Sequence, residues 1–269
     1  FEKRSLLLEH LWTSPKAFIL SHIQKQIKGN ILIITEGKRR EILYEDLCFF
    51  AEKNSLIEIP SLDTFFDHGI SPSKDILGKR MRGINKLLSS DRKIILAPLP
   101  CLLQKIAKPQ DLKKKFRTYK SKDKISFDAF IQTLHELGYE RGSIVSDKGQ
   151  FSVRGGIIDL YPLASPLPFR VEFFGDEIEQ IRTFDIADQR TVEKVTSFFL
   201  CPAVEKKDDN EATLIDYLGK DPLIVFDELV DLEDEYFSIK ENLSSSQMTI
   251  SSFLKEIAPL KKLYFTTSP

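Results

Sequence analysis

The sequence predicts an α/β protein: a parallel-sheet domain with a small α+β, antiparallel-sheet domain inserted into it. Three observations carry this. Short, continuous apolar runs, Asn30 to Thr35 (NILIIT) and Arg92 to Pro98 (RKIILAP), alternate with helical signals, the pattern of strands buried on both faces of a parallel sheet. Between Phe151 and Leu200, strand-length segments follow one another, broken at Gly155-Gly156, Pro166 and Gly175-Asp176, as in an antiparallel meander. A third buried-strand run, Pro222 to Asp227 (PLIVFD), has no partner in its own acidic neighbourhood. It is therefore expected to return to the first sheet.

Each element has its own signal. Ser14-Pro15 reads as a helix start, Ser as N-cap and Pro in the first turn. Phe18, Ile19, Ile23 and Ile27 then share one helical face, and Gly29 is expected to close the helix. Helical signals return at Glu45 to Lys53. Ser126 is placed to cap a helix with Phe127, Phe130, Ile131, Leu134 and Leu137 on its apolar face, ended by Gly138. Strands are predicted at Phe151–Arg154, Gly156–Tyr161, Phe169–Phe174, Ile178–Phe184 and Val192–Leu200. The expected segments are 1–118, 119–204 and 205–269.

Composition narrows the function. Hydrophobic residues make up 42% and charged residues 29% of the 269, enough for a core in an ordinary water-facing protein. No apolar run approaches the roughly 20 residues of a spanning helix, and no signal peptide is expected from FEKRSLLLEH at the start. No membrane partner is expected. Cys48, Cys101 and Cys201 are far apart and form no CxxC pair, which points to a reducing cytoplasm. His10, His22, His68 and His135 never pair at i, i+4 and lie near no cysteine cluster, so no metal site is expected. The net charge of −1 argues against a dedicated nucleic-acid binder. The charge is uneven, however. Lys105 to Lys124 holds nine Lys/Arg against two Asp, and acids dominate from Asp208 to Glu235.

A nucleotide loop would follow G-x-x-x-x-G-K-[ST] and open a helix. Residues 10 to 17 read HLWTSPKA. His10 and Pro15 fill the two glycine slots, Lys16 the lysine slot, and Ala17 the slot of the magnesium-binding hydroxyl. Pro15 has no N–H to offer a phosphate, and Ala17 cannot ligate a metal. Leu223 to Glu228 (LIVFDE) looks like the acidic strand end that serves such a loop. Without a working loop those acids have no magnesium nucleotide to serve. No catalytic residue and no cofactor is expected for this chain.

One stretch is far more specific. Gly138 to Val195 contains GY-x-R, then FSVRGGIIDLYP, then PFRVEFFGDEIE, and closes on FD…QRT. It resembles the UvrA-binding domain shared by UvrB-type excinuclease subunits and bacterial transcription-repair coupling factors. Ser71 to Leu88 and Lys93 to Ile106 look like the first α/β segment of the same family. The resemblance implies a degenerate P-loop, helicase-like domain, because the coupling factors carry the broken loop and the excinuclease subunits a working one. It implies a non-catalytic adaptor that recruits UvrA to stalled RNA polymerase. RNA polymerase and DNA would be reached through downstream regions that nothing here resembles. ATP and magnesium belong to the family's downstream motor. The alternatives are a UvrB-like ATP-dependent excinuclease subunit and an autoinhibitory structural module.

Period-two alternation orients the candidate site. Phe169, Val171 and Phe173 face one way; Arg170, Glu172 and Phe174 face the other. On an earlier strand Phe151 and Val153 face in, and Ser152 and Arg154 face out. Arginines beside an exposed aromatic are the composition of a protein-docking patch. The resemblance assigns partner contact to Arg154, Arg170, Glu172 and Phe174. On this reading Arg170 is an exposed charge whose loss leaves the fold nearly intact. Arg190 reads as a residue bonding the carbonyls that end its turn, and Asp159 and Asp185 as turn or strand-end anchors.

Overall fold

The computed structural model describes residues 5–52, 54–63, 72–89, 92–205, 212–243 and 247–267. His68, Lys53, Ser71 and the start of the acidic stretch at Asp208 lie outside them. In chain order the elements are β1 (Ser5–Leu8), α1 (Thr13–Gln26), β2 (Ile31–Ile34), α2 (Gly37–Phe50), β3 (Leu56–Glu58), α3 (Lys74–Ser89), β4 (Ile94–Ala97), α4 (Leu99–Leu103) and α5 (Pro109–Lys115). There follow β5 (Arg117–Lys120), α6 (Phe127–Glu136), β6 (Glu140–Arg141), β7 (Gln150–Arg154), β8 (Ile157–Leu160), β9 (Phe169–Phe174), β10 (Glu177–Phe184), β11 (Thr191–Val195) and β12 (Ser197–Leu200). The last are β13 (Leu223–Asp227), α7 (Leu229–Ile239), α8 (Ile250–Ile257) and β14 (Lys261–Phe265). The chain divides into two units, residues 1–72, 83–109 and 208–269 in one, and 73–82 and 110–207 in the other.

The first unit is built on a parallel sheet of six strands in the order β1-β14-β13-β2-β4-β3. Its central strands are apolar at every position because both faces are covered: Ile31 to Ile34 and Ile94 to Ala97 are all fully buried. The run Leu223 to Phe226 pairs in register with Ile31 to Ile34. On one face Ala17 and Leu20 of α1 and Leu43 and Leu47 of α2 pack against Ile31, Ile33, Leu96 and Val225. Each leucine, isoleucine or valine among them contributes about 1.5–3 kcal/mol on burial.

Helix α1 departs from the expectation. Its N-cap is Trp12, with no side-chain cap bond, and the Ser14 hydroxyl donates instead to Asp46 at 2.9 Å. The buried stripe is Lys16, Ala17, Leu20, Ser21 and Gln24, while Phe18 is 58% exposed. Ile19, Ile23 and Ile27 of the expected face do pack, half-buried, against the core; of the four only Phe18 is turned out. Nor does Gly29 act as a left-handed cap. A Cβ there would stand 2.3 Å from the Asp221 carbonyl oxygen, so close backbone approach requires the glycine.

The second unit holds a mixed, mostly antiparallel sheet in the order β11-β10-β9-β8-β7-β6, with β6 parallel to β7. Helix α6 lies on its inner face. The Ser126 hydroxyl accepts from the Ala129 N–H at 3.1 Å, and Gly138 ends the helix at φ +83°. Phe130 and Leu134 pack with Phe151, Ile158, Leu160, Val171 and Ile181. The predicted strand Val192–Leu200 is in fact two. The chain leaves the sheet at Thr196, whose carbonyl accepts from the Ser121 N–H, and β12 pairs with β5 in a separate two-stranded ribbon. Period-two patterning cannot show which sheet a strand joins.

Candidate functional site

The outer face of the second unit's sheet is assembled by register. Residues opposite one another on paired strands point the same way. Arg154 is opposite Ile157, Ile157 opposite Glu172, and Glu172 opposite Gln180. These four form one row. The next row is Ser152, Asp159, Arg170 and Arg182. Two tight turns close hairpins at the same end of the sheet: Gly155-Gly156, with Gly155 at φ +60°, and Gly175-Asp176, with Gly175 at φ +58°. Both need the left-handed region that glycine enters without strain. The Phe173 N–H donates to the Gly156 carbonyl at 2.9 Å, tying the two hairpin ends together.

Arg154 and Phe174 stand at that end, and Phe174 is 78% exposed. Its neighbour Phe173 turns inward and packs edge-on against Phe127, with centroids 5.2 Å apart. The alternation expected along β9 is thus present: Phe169 and Val171 are buried, and Phe174 is out.

The charged members are less free than their outward direction implies. The Arg170 guanidinium donates from Nε to Asp159 Oδ1 at 2.7 Å and from Nη2 to Oδ2 at 2.8 Å. It lies over the Phe184 ring at 4.8 Å. The side chains are 14% and 10% exposed. The two bonds to Asp159, opposed by partial burial, hold the Arg170 pKa above its ordinary value. Arg170 is therefore a fixed structural fork and not the loose exposed charge expected, because Asp159 sits directly opposite it across the β8/β9 pair. Asp159 in turn is that arginine's partner, not a turn anchor. Glu172 is engaged by Arg182 of β10.

Arg190 does not bond the carbonyls of its turn. Its side chain is 86% exposed, with Nε 3.7 Å from Asp188. The turn is closed by backbone bonds between Asp185 and Arg190 and between Gln189 and Asp185, and the Asp185 carboxylate accepts from the Ala187 N–H. Sequence reasoning missed Ile157, half-buried between Arg154 and Glu172, and Arg182. The R-G-G-I hairpin signal was present and would have placed Ile157 opposite Arg154. Nothing local pairs Arg182 with Glu172, ten residues away.

The loop remnant lies in the first unit. Lys16, 2% exposed in the first turn of α1, donates to Asp227 Oδ1 and Glu228 Oε1, both at 2.7 Å. The Thr35 hydroxyl donates to Asp227 Oδ2 at 2.8 Å, and the Thr267 N–H to Glu228 Oε1 at 2.8 Å. Burial pushes the Glu228 carboxyl up, but the bonded Lys16 ammonium, the Arg39 charge and the Thr267 N–H outweigh it. The group is held below the ordinary carboxylate range. These residues do not fit a nucleotide. The lysine that would meet a phosphate is already neutralised by the acids that would hold its magnesium, and Pro15 supplies no N–H and Ala17 no hydroxyl. Among the described residues, no group of three or more His, Cys, Asp or Glu is arranged to hold a metal ion. None of their helices is long and apolar enough to cross a membrane.

Residues 118–205, spanning β5 to β12, match the family described as the UvrB interaction domain. The wider chain is similar to the transcription-repair-coupling factors of Haemophilus influenzae (30% identical over 214 residues), Escherichia coli (28% over 207) and Bacillus subtilis (31% over 200). These matches cover 76%, 77% and 74% of the chain but 18%, 18% and 17% of the relatives. The chain is homologous to the N-terminal region of the transcription-repair-coupling factors and carries their UvrB interaction domain. It spans less than a fifth of the length of those relatives.

Proposed function

We propose that this chain is a non-catalytic adaptor of transcription-coupled nucleotide excision repair that docks UvrA on the outer face of its second unit. The homology to transcription-repair-coupling factors supports the process, and the exposed Phe174 beside Arg154 supports the surface. Phe174 carries the reading. A phenylalanine 78% exposed at a hairpin end, while its neighbour Phe173 fills the core, contributes nothing to the fold that solvent does not oppose. On docking it would supply apolar area, with Arg154 offering a fork to a partner carboxylate. Glu172 and Arg170, each already paired, shape the surface around them and keep it rigid.

The adaptor does no nucleotide chemistry on this reading. Lys16 is engaged by Asp227 and Glu228, so contact with RNA polymerase and ATP-driven movement on DNA fall to other parts of the longer protein. The test is a titration of UvrA with the wild-type chain and with Phe174→Ala and Arg154→Ala, alongside thermal melts. Both variants should melt as the wild type does and bind at least about tenfold more weakly. Wild-type affinity in both variants would refute the surface.

A further inference from the structure

The net charge of −1 conceals a strongly basic segment. Residues 113–124 hold seven Lys/Arg against one Asp. Exposed charges act over a Debye length of about 10 Å at 0.1 M salt, so a ligand at this surface meets the local excess and not the whole-chain balance. The segment runs from the last turn of α5 through β5 to the turn before α6.

The ribbon of β5 and β12 gives the middle of this segment, Arg117 to Lys120, a defined face; Lys113 precedes it in α5 and Lys124 follows it, joined to Glu177 by a backbone bridge. Tyr119 and Phe198 turn into the core, 7% and 4% exposed. The opposite side presents the pairs Thr118 with Phe199 and Lys120 with Ser197. Phe116 packs edge-on against Phe199 at 5.4 Å. The Arg117 guanidinium donates to the Lys114 and Phe116 carbonyls, fixing the end of α5 against the ribbon. Lys114 is paired with Asp111 at 3.3 Å and Lys122 with Glu177 at 3.2 Å. Lys113, Lys120 and Lys124 are exposed and enter no ion pair among the described residues. The acid among them, Asp123, turns its carboxylate to the Lys120 backbone N–H at 2.7 Å.

We propose that Lys113, Lys120 and Lys124, with the hydroxyls of Thr118 and Ser197, form a sequence-independent contact for the phosphodiester backbone of a nucleic-acid duplex. The chemistry favours phosphate over an acidic protein surface. Six of the seven cations are lysines, point charges that suit phosphate oxygens, whereas carboxylate recognition favours the arginine fork. The one arginine here is spent on backbone carbonyls. Hydroxyls beside lysines are the usual complement of backbone contacts. Thr118 and Lys120 lie roughly 7 Å apart along the strand at ~3.3 Å per residue, close enough to meet neighbouring phosphates of one strand. Phe116 and Phe199 are packed on each other and half-buried, so they offer no open stacking platform, and bases are not read.

The test is fluorescence anisotropy of a short labelled DNA duplex with the whole chain, between about 50 and 200 mM salt. Three phosphate contacts predict a slope of log K against log salt near about −3, at ~−0.9 each. Each of Lys113→Gln, Lys120→Gln and Lys124→Gln should shallow the slope by about one contact. The triple variant should lose at least about tenfold in affinity without a change in melting temperature. Polyglutamate of matched charge should compete at least about tenfold less well than unlabelled duplex. Absence of duplex binding at the lowest salt, a triple variant that binds as the wild type does, or equal competition by polyglutamate would each overturn the assignment.

Discussion

Asp159 on β8 holds Arg170 on β9 through two parallel hydrogen bonds of 2.7 and 2.8 Å, at directly opposed positions of the sheet. Both side chains are largely buried, so removing one leaves the other charge poorly solvated. Arg170→Ala should destabilise the chain by about 2–4 kcal/mol, below the range for fully buried pairs and above that for exposed ones. Asp159→Ala should cost a similar amount. Urea unfolding of both single variants and the double variant checks this. Additive losses would mean the fork contributes nothing as a pair.

Phe174 and Val171 should behave in opposite ways. Phe174→Ala removes a side chain that is 78% exposed and leaves no cavity. Its melting temperature should match the wild type while UvrA affinity falls by about tenfold or more. Val171 is fully buried. Val171→Ala should destabilise by ~1–3 kcal/mol, and the folded fraction should bind normally. A Phe174→Ala variant that melts early and still binds would invert the assignment of faces.

Lys16 is enclosed with two carboxylates. Lys16→Met should cost about 3–5 kcal/mol near neutral pH, because Asp227 and Glu228 lose their counter-ion. The sign of the pH dependence follows from Glu228, held below its ordinary value of 4.5. Its contribution is present above that value and is lost as the pH falls through the lowered one. The gap between wild type and Lys16→Met should therefore narrow in acid, which unfolding curves at neutral pH and near pH 4 would show. Calorimetry with ATP and magnesium should give no heat of binding to the wild type; micromolar affinity would refute the adaptor reading.

Glu235 on α7 borders an acidic cavity of about 360 Å³ lined by Glu36, Asp231, Asp234, Glu235 and Ser238. Burial, with the neighbouring Glu36 charge, pushes its carboxyl up to about 7, against the Leu99 N–H bond and Arg40, which pull it down. The folded state thus holds a proton that the unfolded chain releases near 4.5. Stability from this group is full below about 4.5 and is lost as the pH rises through 7. Glu235→Gln keeps an acceptor for the Leu99 N–H and removes the titration. The melting temperature of the wild type relative to this variant should fall between pH 5 and pH 8. A constant difference would refute the assignment.

The sequence by itself determined the two sheet types, because strands buried on both faces must be continuously apolar and half-buried ones must alternate. It determined that Phe173 and Phe174 point apart, since adjacent residues of a strand always do. It also determined that HLWTSPKA lacks the N–H of the second glycine slot, at Pro15, and the magnesium-binding hydroxyl, at Ala17. Only the tertiary structure decided what the charges do. Lys16 meets Asp227 across 211 positions of chain, and Arg170 meets Asp159 through strand register. Arg182 takes Glu172 from a neighbouring strand. Backbone periodicity is local and reads from a few residues, whereas the partner of a charge depends on which strands become neighbours, and short-range pattern holds no record of that. For the same reason the burial of Lys16 on the sheet side of α1, and the exposure of Phe18, were invisible until the sheet beneath the helix was in place.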